Sequence, residues 1–204
     1  MAKIDFKKEL KHLYRPPSKK FTIVDVPQMN FLMIDGHGDP NNNPDYQAAV
    51  EALYAMAYSI KFAAKSQGVE YGVLPLEGLW WAEDVNVFTL QNKDQWDWTM
   101  MIMQPDMVNG AMVEQARQDV ARKKNPSALN KLRFEAYQEG LSVQIMYFGA
   151  YADEGPTVAK MHSYIQECGY MPVGKHHEIY LGDPRKTAPE KLKTVIRQPV
   201  ASRG

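Results

Sequence analysis

The strongest constraint on this chain is that one order of local signals is written in it twice. Phe31-Leu32-Met33-Ile34 runs into Gly36, and Leu141–Phe148 runs into Gly149. Each glycine leads through an acidic loop, Asp39-Pro40 or Asp153-Glu154-Gly155-Pro156, into a stretch of helical periodicity. Tyr46, Ala49, Val50, Leu53, Tyr54, Ala57, Ile60 and Ala64 recur at three- and four-residue spacing and stop at Gln67-Gly68. Thr157–Cys168 does the same and stops at Gly169. Two further strands follow in each half, 71–82 with 95–104 and 175–181 with 191–197, and Val85–Leu90 extends one of the first pair. A strand-helix-strand-strand unit used twice predicts an α+β fold in which an antiparallel-rich sheet carries both long helices on one face and leaves a ligand cleft on the other.

The remaining text fits one domain spanning 1–204, with a first half at about 21–104, a helical insertion at about 111–138 and a second half at about 141–197. The insertion reads as two helices, Ala111–Lys124 and Ser127–Gln138, parted by Asn125-Pro126 with Ser127 as cap. Its Arg117, Arg122, Lys123, Lys124, Lys131 and Arg133 form a solvated basic face. Arg15-Pro16-Pro17-Ser18-Lys19-Lys20 reads as a linker, since two prolines remove donors.

Composition narrows the function. With 45% apolar residues in 204, the chain needs neither disulfide nor metal to bury a core. The single cysteine, Cys168, points to a reducing compartment. The 24 basic and 24 acidic residues cancel, which argues against nucleic acid as a partner. Asp5 and Glu9 interrupt any apolar leader, and no window reaches the ~20 apolar residues of a membrane span, so a cytoplasmic protein is expected. No cofactor and no metal is expected, because the adjacent strand histidines His176 and His177 face opposite ways and no paired ligand motif is present.

Candidate chemistry lies on the second strand of each half. Strand parity groups His176, Glu178 and Tyr180 against His177, Ile179 and Leu181, and the apolar second set is expected to face the helices. Parity likewise groups Glu77, Leu79, Trp81 and Glu83, and places Glu77 opposite Glu178 in the repeat. A carboxylate among aromatic rings becomes a base near neutral pH or a counter-charge for a cation. Trp80, Trp81, Trp96 and Trp98, with Tyr137, Tyr147, Tyr151 and Tyr180, supply the rings, and one of Trp80 and Trp81 must point away from the helices.

Pro75-Leu76-Glu77-Gly78-Leu79-Trp80-Trp81 and His176-His177-Glu178-Ile179-Tyr180-Leu181-Gly182-Asp183-Pro184 resemble the GyrI-like small-molecule-binding family, as do Lys131-Leu132-Arg133-Phe134-Glu135 and Lys191–Ile196. The resemblance implies duplicated SHS2-type modules, a cleft for hydrophobic aromatic or cationic small molecules, and Glu178 in contact with the ligand. The stand-alone branch that the Trp-Trp and His-His-Glu texts resemble comprises cyclopropanoid cyclopropyl hydrolases, which add water to the strained ring of DNA-alkylating natural products of the duocarmycin and yatakemycin kind. On that reading Glu178 is the base, Tyr147 or Tyr151 donates to the carbonyl, and Trp80 or Trp81 stacks on the ligand. Glu77, Glu83, Tyr137, His176 and Tyr180 line the site. The alternative is a binder that sequesters such compounds without turnover, and a third reading, contact with gyrase, rests on the family name alone. One departure is Ala150 in Gly149-Ala150-Tyr151, where relatives tend to carry proline.

Overall fold

The computed structural model describes residues 3–83 and 92–203, so the expectation for Val85–Leu90 lies outside the described residues. Along the chain run β1 (Lys3–Ile4), α1 (Phe6–Glu9), α2 (Lys11–Tyr14), β2 (Thr22–His37), α3 (Pro44–Ser66), β3 (Glu70–Tyr71), β4 (Leu76–Trp81), β5 (Asp97–Gln104), α4 (Gly110–Lys123), β6 (Arg133–Phe148), α5 (Gly155–Glu167), β7 (Tyr170–Pro172), β8 (His176–Tyr180) and β9 (Lys193–Ser202). The class is mixed α+β with mostly antiparallel pairing. The chain divides into two units, Met1–Phe6 with Met29–Tyr137 and Lys7–Gln28 with Gln138–Gly204. Among the described residues no helix is long and apolar enough to cross a membrane.

In the first unit β5 lies between β2 and β4, antiparallel to both. The helix α3 opens where sequence signals put it, with the Asn43 side chain accepting from Asp45 N and Pro44 in the first turn. Its buried stripe, Ala49, Ala52, Leu53, Met56, Ala57, Ile60 and Ala64, keeps the three- and four-residue spacing, and the alanines let the backbone approach the sheet closely. Opposite residues Gly36, Trp98 and Trp80 form one row across the three strands. This row faces α3: Tyr46 stacks on Trp80 at 6.2 Å and meets Trp98 edge-on at 5.4 Å. The fully buried Trp98 indole lies flat over Gly36, where a Cβ would occupy ring space, and donates from Nε1 to Gly38 O at 3.2 Å.

The expected helix over 127–138 does not form. A short 3-10 turn at Leu129–Lys131 leads directly into β6, a 16-residue strand, and only α4 represents the helical insertion. Helical spacing is overridden here by specific polar pairing. Arg133 Nη1 and Nη2 donate to Asp35 at 2.7 and 3.0 Å, and Arg117 donates to Leu129 O and Leu132 O at 2.7 and 2.9 Å. Arg117 and Arg133 therefore tie chain segments together rather than forming only a solvated helix face. The Phe31–Ile34 run is likewise part of a longer strand, β2, which begins at Thr22.

In the second unit β9 pairs antiparallel with β6, β8 and β7. Met161 and Ile165 of α5 pack on Val143, Ile145, Ile196 and Val200. The opposite pleat face carries a row of polar residues, Gln144, Arg197 and His177. Arg197 is fully buried and uses its whole fork: Nε donates to Gln144 Oε1 at 3.1 Å, Nη1 to Glu139 Oε2 at 3.0 Å and Nη2 to Leu13 O at 2.8 Å. Glu139 also holds His177 Nδ1 at 3.0 Å. Gln144 donates to His12 O at 2.6 Å, and Met146 N to Pro17 O at 3.0 Å, so the proline segment expected as a linker is fastened along β6. Burial opposes the charge on Glu139, but His177 and Arg197 outweigh it and hold the carboxyl down at about 2.

Two expectations follow. Gly36→Ala forces the Trp98 indole out of its place and costs roughly 1–3 kcal/mol or more, whereas Gly72→Ala, where a Cβ meets nothing within 4 Å, leaves the urea midpoint nearly unchanged. Because the folded value for Glu139 lies below its ordinary 4.5, its stabilisation is present above about 4.5 and drains away as pH falls towards about 2. Acid unfolding followed by circular dichroism is expected to lose that dependence in Glu139→Gln.

Candidate functional site

The face of the second unit that carries α5 also carries the chemistry. Glu178 stands opposite Ile196, which stands opposite Ile145, and both isoleucines belong to the α5 core. Directly opposed residues share a face, so Glu178, with His176 and Tyr180, points to the helix side. The expectation that His177, Ile179 and Leu181 take that side is reversed. Apolarity did not mark the helix face, because the other face is also covered, by Leu13 and Tyr14, and stabilises His177 through Glu139.

Around Glu178 the side chains converge. Tyr180 donates its hydroxyl proton to Glu178 Oε2 at 2.8 Å, His176 Nε2 lies 3.4 Å from Oε1, and the Tyr151 ring meets Tyr180 edge-on at 5.3 Å. Glu154, 5% exposed at the start of α5, is the residue that sequence reasoning did not select. Its carboxyl lies beside Glu178 and Thr194. Burial first, then the charge of Glu178, pushes Glu154 up to about 9. For Glu178, burial alone would raise the value, but hydrogen bonds from His176, Tyr180 and Glu154 and the proximity of His176 hold it below the ordinary range. At neutral pH the pair is therefore one carboxylic acid and one carboxylate sharing a hydrogen bond. His162 on α5 is held low by burial and by His176, and so is neutral.

Tyr147 occupies the row of Thr194 and Tyr180. Its hydroxyl packs over Gly149, whose φ is 146°, and donates to Ala150 O at 3.2 Å. Burial, and then Glu154 and Asp153, raise the Tyr147 phenol. Ala150 itself has φ −70° and ψ 146°, a conformation that proline adopts without strain, so the loop before Tyr151 is compatible with proline at this position.

The remaining candidates belong to the first unit. Trp80 is buried against Tyr46 and, at 5.9 Å, Trp96, on the α3 side. Trp81 points the other way and is half-buried, Glu77 is 1% exposed, and Glu83 is exposed. Tyr137 contacts Phe31 at 6.3 Å. The repeat can be read strand by strand from its glycines. Matching Gly36 to Gly149 brings the row Met33, Met101, Glu77 onto the row Met146, Val195, Ile179. Glu77 therefore corresponds to Ile179, one residue and one pleat face away from Glu178, and the position matching Glu178 is Leu76. The short signal Glu154-Gly155-Pro156, an acid immediately before a helix start, is the one sequence feature that could have pointed to Glu154.

A family model for the GyrI-like small molecule binding domain matches residues 19–201. Two solved structures from Listeria innocua are similar over nearly their whole length. An uncharacterized conserved protein is 42% identical, with 97% of this chain and 100% of that one covered and a TM-score of 0.90. A hydrolase is 41% identical, with 98% and 100% covered and a TM-score of 0.88. The EcmrR C-terminal domain, 11% identical over 90% of this chain and 98% of its own with a TM-score of 0.56, shares the fold alone. Among curated proteins none matches the chain.

The loop geometry carries its own test. Ala150→Pro is expected to stabilise the protein by about 0.4–1 kcal/mol, since it restricts the unfolded chain at a position already at proline's φ. A lowered melting temperature in this variant would contradict the loop as described.

Proposed function

Because the chain belongs to the GyrI-like small-molecule-binding family, we propose that it is a hydrolase that opens the cyclopropane of planar aromatic alkylating compounds by adding water. The observation that carries the reading is the Glu154–Glu178 pair, in which burial and mutual charge assign opposite protonation states to adjacent carboxyls. The relatives named as hydrolases support the reaction class, and the sequence resemblance supports the substrate class.

In this mechanism Glu178 accepts a proton from water as the water oxygen bonds to the ring methylene. The cyclopropane carbon–carbon bond breaks, and its electron pair flows through the conjugated dienone to the carbonyl oxygen, which becomes a phenolate. Tyr151 is the donor proposed for that oxygen, since the Tyr147 proton is already held by Ala150 O. The neutral Glu154 keeps the net charge of the pair at minus one, so Glu178, whose side chain is 17% exposed, remains available as a base. The tyrosine rings around Glu178 also suit an organic cation, and this favours the second reading, a binder that holds its ligand without turnover. The shared strand-helix-strand-strand order, with the last strand paired to both the first and the second in each unit, supports treating the two as copies of one SHS2-type module.

Incubation with a cyclopropane-bearing alkylator, followed by mass spectrometry of the hydrated product, tests the proposal. Glu178→Gln is expected to lower turnover ~10²- to 10⁴-fold with the fold intact, and an undiminished rate would remove Glu178 as the base. The rate is expected to hold level up to neutral pH and to fall as pH rises through about 9, where Glu154 ionises beside Glu178. Glu154→Gln abolishes that alkaline fall. Ligand retention with no product in the parent protein would favour the binder.

A further inference from the structure

The sheet that carries Glu178 has a second, chemically opposite feature on its reverse side. In the second unit Tyr147, Thr194 and Tyr180 form the row on the α5 side, and the next row turns Phe148 and Lys193 the other way. Leu181 joins them through its N–H bond to Lys193 O at 2.9 Å. The Arg15–Ser18 segment, fastened by the bond from Met146 N to Pro17 O, passes over this row and leaves a cavity of about 620 Å³. That volume lies within the usual range of small-molecule sites.

The lining decides the ligand class. Phe148, half-exposed, with Met146, Leu181 and the two prolines gives an apolar wall, and the prolines present no N–H to it. Lys7, Arg15 and Lys193 enter from α1, the proline segment and β9 respectively, and among the described residues no Asp or Glu lines the cavity. None of the three cations makes an ion pair among the described residues, and Lys193 instead lies 5.4 Å over the Phe148 ring. Three converging positive charges over an aromatic wall disfavour a cation and favour an anion with an apolar body.

We propose that this cavity is a second ligand site, distinct from the carboxyl pair, for small organic acids that bear a carboxylate or sulfonate on an aromatic or aliphatic body. It does not depend on the hydrolase reading. Arg15 and Lys193 hold the anionic group, and Phe148 takes the apolar body.

Two fluorescent probes of nearly equal shape test it: 8-anilinonaphthalene-1-sulfonate and the uncharged N-phenyl-1-naphthylamine. The sulfonate is expected to bind saturably, and more weakly at high salt, where exposed charges are screened. In the Arg15→Glu/Lys193→Glu variant, its affinity falls ~10-fold or more, while that of the neutral probe changes less than about twofold. Phe148→Ala weakens both probes, and Glu178→Gln weakens neither. Because the charge reversals sit on exposed side chains, circular dichroism is expected to match the parent protein. Unsaturable sulfonate binding, binding that survives the double reversal, or an equal loss for both probes in that variant would overturn the proposal.

Discussion

The buried Arg197 fixes what the second unit can do. Its guanidinium reaches Glu139, Gln144 and the carbonyl of Leu13, so β9, β6 and the N-terminal segment are held by one side chain. A strand alternates its faces with a period of two, and a slip of one residue in β9 would turn Arg197 towards Met161 and Ile165. An uncompensated charge there costs several kcal/mol, which makes the register nearly obligatory. The same register puts Ile196 against α5 and Glu178 beside it. The carboxyl pair is thus a consequence of where the arginine is buried.

Much of this was legible in the sequence. Helices α3 and α5 follow from stripes bounded by Pro44 and Gly68 and by Pro156 and Gly169, because those signals are local and strong. The 127–138 segment was not legible, because Arg133 pairs with Asp35, 98 residues away in sequence, beyond the reach of any local window. The orientation of Glu178 failed for a different reason. Sequence parity separates two faces but names neither, and here the face with Ile179 also holds a buried ionic network. Glu154 escaped because its chemistry exists only once β8 brings Glu178 to the helix start.

The two units share a pairing order but divide the work. Read from their glycines, the α5-side positions Tyr147, Thr194, Tyr180 and Glu178 correspond to Ile34, Met100, Gly78 and Leu76 on the α3 side. Every polar group of the second set is replaced by hydrocarbon or hydrogen in the first. Where the second unit opens a loop after Gly149, the first presses an indole onto Gly36. The pairing order therefore carries a packed core in the first unit and a cluster of polar side chains in the second.

That division also explains how a partly buried carboxylate persists in the second unit. Two carboxylates in contact would repel strongly at low dielectric, and two carboxylic acids would leave His176 without its anion. The mixed state satisfies both constraints: Glu154 supplies the shared proton, while Tyr180 and His176 stabilise the charge that remains on Glu178. On the proposed reading, a carboxylate stabilised in this way stays ionised when an apolar ligand covers it.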